Sequence, residues 1–177
     1  MKKIILIIAL IMTIFQLVVM AIVIDIGSPA INRGASQSAY SQFNIDNPAN
    51  ATGTITSVEI WAVKNLSNVK VATFYLVSGE YYSTRDYESI GSVTAGSKQT
   101  FSVNLDVQIG DYLGIYYSSG RLEKDGSGYS GIRYKAGDYI PCTHTFYSIY
   151  DSDATLSLYG IGATAEAGNA IMFGTNF

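Results

Sequence analysis

The sequence predicts an all-β protein: an antiparallel, two-sheet, jelly-roll-like sandwich that follows an N-terminal hydrophobic helix. Three observations lead to this prediction. Apolar and polar residues alternate strictly in several segments, turn-forming residues recur at short intervals, and no amphipathic helical period occurs after residue 24. The chain has 17 glycines and only 3 prolines, so tight turns are available and strands are rarely interrupted. We expect about eight to ten strands.

The N-terminal segment has the pattern of an export signal. Lys2 and Lys3 precede an apolar run over residues 4–24, and small residues up to Ala21 suit a signal peptidase. We therefore predict a signal peptide over residues 1–21 and a single β-sandwich domain over 22–177. An uncleaved membrane anchor that reaches residue 24 is the alternative, because about 20 apolar residues cross a bilayer. Both interpretations place the remainder outside the cell or at the cell surface.

The first and last predicted strands leave two pairings open. Ile22–Ile26 alternates and ends at a turn, so it either pairs with its own sheet or completes the sheet of a neighbouring copy. Pairing within the chain is the default. The same choice applies to Ala170–Phe173, which follows a small-residue stretch, Gly160–Gly168, predicted to be a flexible connector.

The interior strands follow from apolar positions at a period of two. Residues 69–77 are more continuously apolar, which is typical of a central strand. The residues expected on buried faces are Thr56, Val58, Ile60 and Ala62; Phe101, Val103, Leu105 and Val107; Leu113, Ile115 and Tyr117; and Leu156 and Leu158.

The phrase Gly-Asp-Tyr occurs twice and predicts two equivalent turns. Gly110-Asp111 and Gly137-Asp138 are each expected to start a strand, at Tyr112 and Tyr139. Glycine permits the positive φ of a tight turn, and aspartate accepts a hydrogen bond from the backbone two residues on.

Charge and cysteine content exclude several classes of protein. Removing residues 1–21 takes two lysines away, which leaves 9 Lys+Arg against 14 Asp+Glu and a net charge of about −5. A nucleic-acid-binding protein needs the opposite balance, so no nucleic acid partner is expected.

The single Cys142 cannot form an internal disulfide, so stability must come from the core, an ion or a partner.

No residue pattern predicts catalysis. His144 is the only histidine, and with Cys142 it supplies two metal ligands where zinc needs three or four. Such a pair, two positions apart on a strand, would share one face. No pair of carboxylates is distinguished by the sequence, so we predict a protein that is not an enzyme.

A calcium ion is the only cofactor that the sequence suggests. Asp151 and Asp153 offer alternate oxygen ligands in a loop, which is compatible with a structural calcium site. The spacing of an EF-hand is absent, and an ordinary aspartate-rich turn explains the same residues.

The 14 tyrosines are too many for the core alone. In predicted strands that contain Tyr116-Tyr117 and Tyr81-Tyr82, adjacent residues face opposite sides of the sheet, so one tyrosine of each pair should point outward. An exposed tyrosine ring either stabilises cross-strand pairs or stacks against a sugar. The residues predicted to bind a ligand are Tyr116, Tyr112 and Tyr82.

Four motifs between Asn47 and Cys142 resemble a module of uncharacterised exported proteins from microbes and their viruses: NPANATGTITSVEIWA, IGSVTAGSKQTF, GDYLGIYY and AGDYIPC. The resemblance implies a jelly-roll-like sandwich in surface and virion proteins, with binding or structural work and no catalytic residues to carry over. The expected partners are a surface glycan or polymer, or copies of the chain itself. A membrane is expected only through an uncleaved N-terminal segment.

Two functions are therefore expected to compete. One is surface recognition, with a glycan or polymer bound through exposed tyrosines. The other is a structural subunit of an extracellular filament or virion that assembles by strand exchange.

Overall fold

The structure, a computed structural model, describes residues 21–164, and within that range it consists of β-strands joined by turns and loops, without a helix. All strand pairs are antiparallel. The strands are β1 Val23–Ser28, β2 Ala35–Gln37, β3 Ser41–Asn44, β4 Gly53–Ser78, β5 Tyr81–Val93, β6 Lys98–Val107, β7 Tyr112–Tyr116, β8 Ser119–Asp125, β9 Ile132–Lys135, β10 Thr145–Phe146, β11 Ser148–Asp151, β12 Thr155–Leu156 and β13 Leu158–Ala163.

The strands outnumber the expected eight to ten, because several are only two to four residues long, too short to show a period in the sequence. Residues 21–164 include no helix that is long and apolar enough to span a membrane. Most of the predicted signal peptide and the predicted strand Ala170–Phe173 lie outside the described residues.

The long strand β4 organises the fold. Its first part, residues 53–61, lies between β13 and β6, and residues 70–74 lie between β5 and β7. Its middle pairs irregularly with β8. The central position predicted for residues 69–77 is therefore confirmed for the first half of that segment; from Tyr75 onward the side chains are exposed.

The main core is built from the alternating residues that the sequence predicts. In β6, Val103, Leu105 and Val107 are buried and Phe101 packs against them. In and after β7, Leu113, Ile115 and Tyr117 are buried in the same core. The alternation of apolar and polar residues therefore predicted the buried faces of β6 and β7 correctly.

Thr56 departs from the predicted pattern. It is exposed, whereas Ile55 is buried. In the pairing of β4 with β13, Ile55 and Ser57 lie opposite the consecutive residues Gly162 and Ile161, so β4 accommodates Thr56 as an extra residue in a bulge. The alternation resumes at Val58, and the expectation that Thr56 faces the core is wrong.

The predicted connector Gly160–Gly168 begins as a strand. Gly160 and Gly162 lie in β13, between β1 and β4. A Cβ on Gly160 would lie 2.8 Å from Ile26 Cγ2, and a Cβ on Gly162 would collide with the backbone of Thr54. Glycine is needed here for close strand packing, so the prediction of a flexible connector is wrong for residues 160–163. Residues 165–168 lie outside the described part.

The N-terminal strand pairs within its own chain. β1 runs antiparallel to β13, which confirms the default interpretation of this segment. Its other edge is bonded by two asparagines. The side chain of Asn50 accepts from the N–H of Asp25 and donates to the carbonyl of Val23, each over 3.2 Å. The side chain of Asn47 donates to the carbonyl of Gly27 over 3.0 Å, and its backbone carbonyl accepts from the N–H of Gly27 over 2.9 Å. The outer edge of β1 is therefore satisfied.

The first Gly-Asp-Tyr turn is as predicted, with a different partner for the aspartate. Gly110 has φ 88° and Tyr112 starts β7. Asp111 accepts from the N–H of Gln108 over 2.8 Å and is buried in an ion pair with the Arg85 guanidinium. The ion pair with Arg85 holds the turn to β5. The sequence instead predicts that Asp111 accepts from the backbone N–H two residues further on.

The second Gly-Asp-Tyr is a turn but starts no strand. Gly137 has φ 108°, and Asp138 accepts from the N–H of Ile140, two residues on, over 3.1 Å. Tyr139 lies in a loop, so the predicted equivalence of the two turns is wrong. Pro141 lacks an N–H for a strand ladder, and Ile140 is buried.

Candidate recognition surface

A second group of buried and partly buried residues lies on the opposite face of β4 and β7 from the main core. We call it the aromatic cluster: Phe43, Phe74, Tyr82, Tyr112 and Tyr147. Their ring centroids are 4.8–6.2 Å apart where they touch. Residues 136–147, here called the covering loop, contribute Tyr147 and also Ile140 to this group.

Tyr82, a predicted ligand-binding residue, belongs to this cluster. Its side chain is 4% exposed and packs edge-on against Phe43 at 4.8 Å. The neighbouring Tyr81 points outward and is 42% exposed. One of the two does face solvent, as alternation predicts, but the outward orientation expected of Tyr82 is wrong because its ring completes the cluster.

Tyr112, a member of the aromatic cluster, and Tyr116, which packs against the cluster, are both partly buried. The sequence places them on an outer face or beneath a covering loop, and the loop is the arrangement found. Lys70 Nζ lies 5.9 Å from the Tyr116 ring and donates to the covering loop, to Asp138 Oδ2 over 2.6 Å and to the carbonyl of Ile140 over 2.8 Å. The loop therefore restricts access to these tyrosines.

Burial affects the phenols beneath the covering loop. Burial raises the pKa of Tyr147, whose hydroxyl donates to the carbonyl of Tyr139 over 3.3 Å. Burial likewise raises the pKa of Tyr82, and the nearby Arg133 opposes this. Both groups are neutral and structural at neutral pH.

Three other tyrosines form a partly exposed group, here called the tyrosine triad. Tyr40 and Tyr134 lie 5.1 Å apart, Tyr134 and Tyr150 lie 5.1 Å apart, and Tyr40 and Tyr150 lie 5.9 Å apart, as ring centroids. Tyr150 is 42% exposed. The rings meet edge-on or tilted, so their faces point in different directions.

Three neighbouring strands bring the triad together. Tyr40 immediately precedes β3, Tyr134 lies in β9 and Tyr150 in β11. β9 lies between β3 and β11, with Tyr134 opposite Gln42 and Ser148. The register shifts between Ile149 and Asp151, so Tyr150 sits at a bulge, and β11 ends this path of strands. A bulge at a sheet edge is a common way to aim a side chain.

A charged pair borders the triad. Lys124 Nζ lies 5.3 Å from the centre of the Tyr150 ring and 3.0 Å from Asp151 Oδ2. The hydrogen bond from Lys124, assisted by the backbone N–H of Asp153, lowers the pKa of Asp151. An aromatic ring beside an ammonium donor and a carboxylate acceptor combines apolar surface with polar groups, as small-molecule sites do.

The two aspartates predicted to bind calcium make bonds within the protein. Asp153 Oδ1 accepts from the N–H of Gly128 over 2.8 Å, and Asp151 Oδ1 accepts from the N–H of Asp153 over 3.3 Å. In residues 21–164, no group of three or more His, Cys, Asp and Glu residues is placed to hold a metal ion. Calcium binding at Asp151 and Asp153 stays a prediction.

Cys142 and His144 do not share a strand face, because both lie in the covering loop. Cys142 Sγ lies 3.7 Å from the Tyr147 hydroxyl, among the groups around the aromatic cluster. His144 is exposed, with its ring centroid 4.7 Å from that of Tyr81. The shared face that this spacing would give on a strand is therefore not formed.

Sequence reasoning missed the triad because its members come from three strands that are distant in sequence. Tyr134 lies two residues after the buried Ile132, so the two side chains share a strand face, which by itself suggests that Tyr134 is a core residue. Only the order β3-β9-β11 shows that this face reaches the edge of the sheet.

Comparisons with protein-family models, with curated proteins and with solved structures give no match to this chain. The resemblance to exported surface and virion modules therefore stays a prediction, and the geometry of the triad has to carry the functional argument.

Proposed function

We propose that the chain is an exported, non-enzymatic recognition module that binds a glycan or another surface polymer, outside the cell or at the cell surface. The ligand lies against the tyrosine triad, with Tyr150 as the stacking ring. Lys124 and Asp151 hydrogen-bond the hydroxyl groups of the ligand. This moves the binding role from Tyr116, Tyr112 and Tyr82 to a different face of the protein.

The observation that carries this proposal is the partial exposure of three mutually touching tyrosines at a sheet edge. Burying such rings would be favourable, yet within the described residues no loop covers Tyr150 as residues 136–147 cover the aromatic cluster. Stacking one sugar on one ring contributes about 1 kcal/mol, so binding is weak and gains from multivalency.

We further propose that the strands form two layers, a jelly-roll-like sandwich. The main core supports this arrangement. It joins Ile24 and Ile55, from the strands beside β13, to Leu113 and Ile132, from the strands beside β3. Two layers that share one core place the edge strand β11 at the rim of the sandwich, where polymer chains have access.

The competing function, a structural subunit that assembles by strand exchange, has less support at β1. Exchange there would replace the pairing with β13 and break the bonds that Asn47 and Asn50 make to the outer edge. Each such bond is worth about 1 kcal/mol. Assembly through β11 or through Ala170–Phe173 would avoid this cost.

A glycan array with purified protein and the variant Tyr150→Ala tests the proposed function. Tyr87→Ala is the matched control, because Tyr87 is also 42% exposed but belongs to neither aromatic group. We expect the wild type and Tyr87→Ala to retain the same glycans and Tyr150→Ala to lose them. Equal retention by all three proteins, or retention by none, would contradict the proposal. Light scattering of the same samples would detect an assembly in its place.

A further inference from the structure

Lysine and arginine side chains in the described residues fall into two groups. Six form ion pairs with carboxylates: Arg33, Lys70, Arg85, Lys98, Lys124 and Arg133. The other three, Lys64, Arg121 and Lys135, form none within residues 21–164. Since the protein carries 14 acidic residues against 11 basic ones, carboxylates are plentiful, and unpaired cations stand out.

Two of the unpaired cations lie directly opposite each other. The register pairs Lys64 of β4 with Arg121 of β8, and both side chains are exposed. Like charges that lie directly opposite each other on two paired strands destabilise a sheet. A locally unfavourable arrangement without a compensating contact is typical of a functional position.

The cationic pair lies near the tyrosine triad. Arg121 Nη1 donates to Ser38 Oγ over 3.4 Å, and Tyr40 of the triad is two residues further along, at most about 7 Å of extended chain. Arg121 and Tyr40 both act on the Tyr117 hydroxyl, whose pKa burial raises; Arg121 opposes that increase and Tyr40 adds to it. The contact with Ser38 and the short chain to Tyr40 therefore place Arg121 within about one or two sugar rings of the triad.

We propose that the polymer bound by this surface is anionic, with a carboxylate or a sulfate group that lies against Lys64 and Arg121 while a neighbouring ring stacks on the triad. This rests on the proposed function. A planar guanidinium binds either anion through two parallel hydrogen bonds, and the lysine opposite adds a second positive charge. The anion would remove the repulsion between the two side chains.

The test compares ligands that differ only in charge. Binding of oligogalacturonate is measured against its methyl ester, and binding of dextran sulfate against dextran, by calorimetry at low and at physiological salt. The variants are Arg121→Gln, Lys64→Gln and Tyr150→Ala. Lys98→Gln is the control, because it removes the same charge from a lysine that is already paired with a carboxylate, that of Glu59.

We expect the charged form of at least one pair to bind more tightly than its neutral counterpart, more so at low salt. Arg121→Gln should weaken that binding about fivefold, and Lys98→Gln should not change it. Equal affinity for charged and neutral forms, with binding lost in Tyr150→Ala, would overturn the anionic ligand and leave the proposed function intact. Preference for the charged form that persists in Arg121→Gln and Lys64→Gln would also overturn it. Binding by none of these probes, with none on the glycan array, would overturn both.

Discussion

The aromatic cluster and the tyrosine triad lie on opposite sides of β3. Phe43 of β3 faces the cluster, whereas its neighbour Gln42 lies opposite Tyr134 of the triad. In the cluster, the rings pack beneath the covering loop: four of them are at most 4% exposed, and Tyr112 is partly buried. In the triad, rings touch equally closely, at 5.1 Å, yet Tyr150 remains 42% exposed.

The difference shows that a covering loop, more than residue type, decides what a tyrosine does here. The covering loop is held by Lys70, which donates to Asp138 and to the carbonyl of Ile140. Beneath it, tyrosine serves as a large core residue with a satisfied hydroxyl. At the triad no comparable segment among the described residues covers the rings, and the same side chain is available to a ligand.

The largest expected effect is the loss of a ring from the cluster. Phe43→Ala should lower the free energy of unfolding by about 3–5 kcal/mol, because it removes buried area and leaves a cavity among four other rings. Chemical denaturation measures this change. A cost below about 1 kcal/mol would mean that the cluster is not a packed core, and the contrast with the triad would fail.

The next effect concerns alkaline pH. Because burial raises the folded-state pKa of Tyr147 above the value of about 10 in the unfolded chain, its contribution to stability is complete below pH 10 and is lost as pH rises further. That loss is about 1.4 kcal/mol per pH unit for one such group. Tyr147→Phe should make the pH dependence of unfolding above pH 10 shallower. An unchanged slope would show that this phenol is not protected.

A smaller effect is expected from loosening the covering loop. Lys70→Met removes both hydrogen bonds to the loop and should cost about 1 kcal/mol. Amide exchange should quicken in residues 137–142, while exchange in the strands around Tyr134 stays unchanged. Lys98→Met, at a pair with Glu59, serves as the control. Unaltered exchange in the loop would show that Lys70 does not hold the cover in place.

The core strands could be predicted from sequence because alternation is a local property. Val103, Leu105 and Val107 recur at every second position, so the sequence alone identifies them as one buried face. The bulge at Thr56 and the strand at Gly160 could not be found this way, since both depend on which neighbour pairs with which residue.

The candidate site was less predictable than the core. Tyr82 and Tyr150 are the same residue type in similar strand-forming sequences, yet Tyr82 is 4% exposed and Tyr150 is 42% exposed. What separates them is the position of the covering loop and the order of the strands, and both are properties of the tertiary fold. The turn at Gly137 illustrates the same limit, because its local chemistry was predicted correctly and the expected strand after it was not.

The most direct test of the central claim pairs a thermal melt with glycan binding for Tyr150→Ala and Tyr116→Ala. We predict that Tyr150→Ala changes stability by at most about 0.5 kcal/mol, because its side chain is 42% exposed, and that it abolishes binding, because Tyr150 is the proposed stacking ring. We also predict that Tyr116→Ala lowers the melting temperature and still binds, because Tyr116 packs against the aromatic cluster. Binding that survives Tyr150→Ala and disappears in a well-folded Tyr116→Ala would contradict the account.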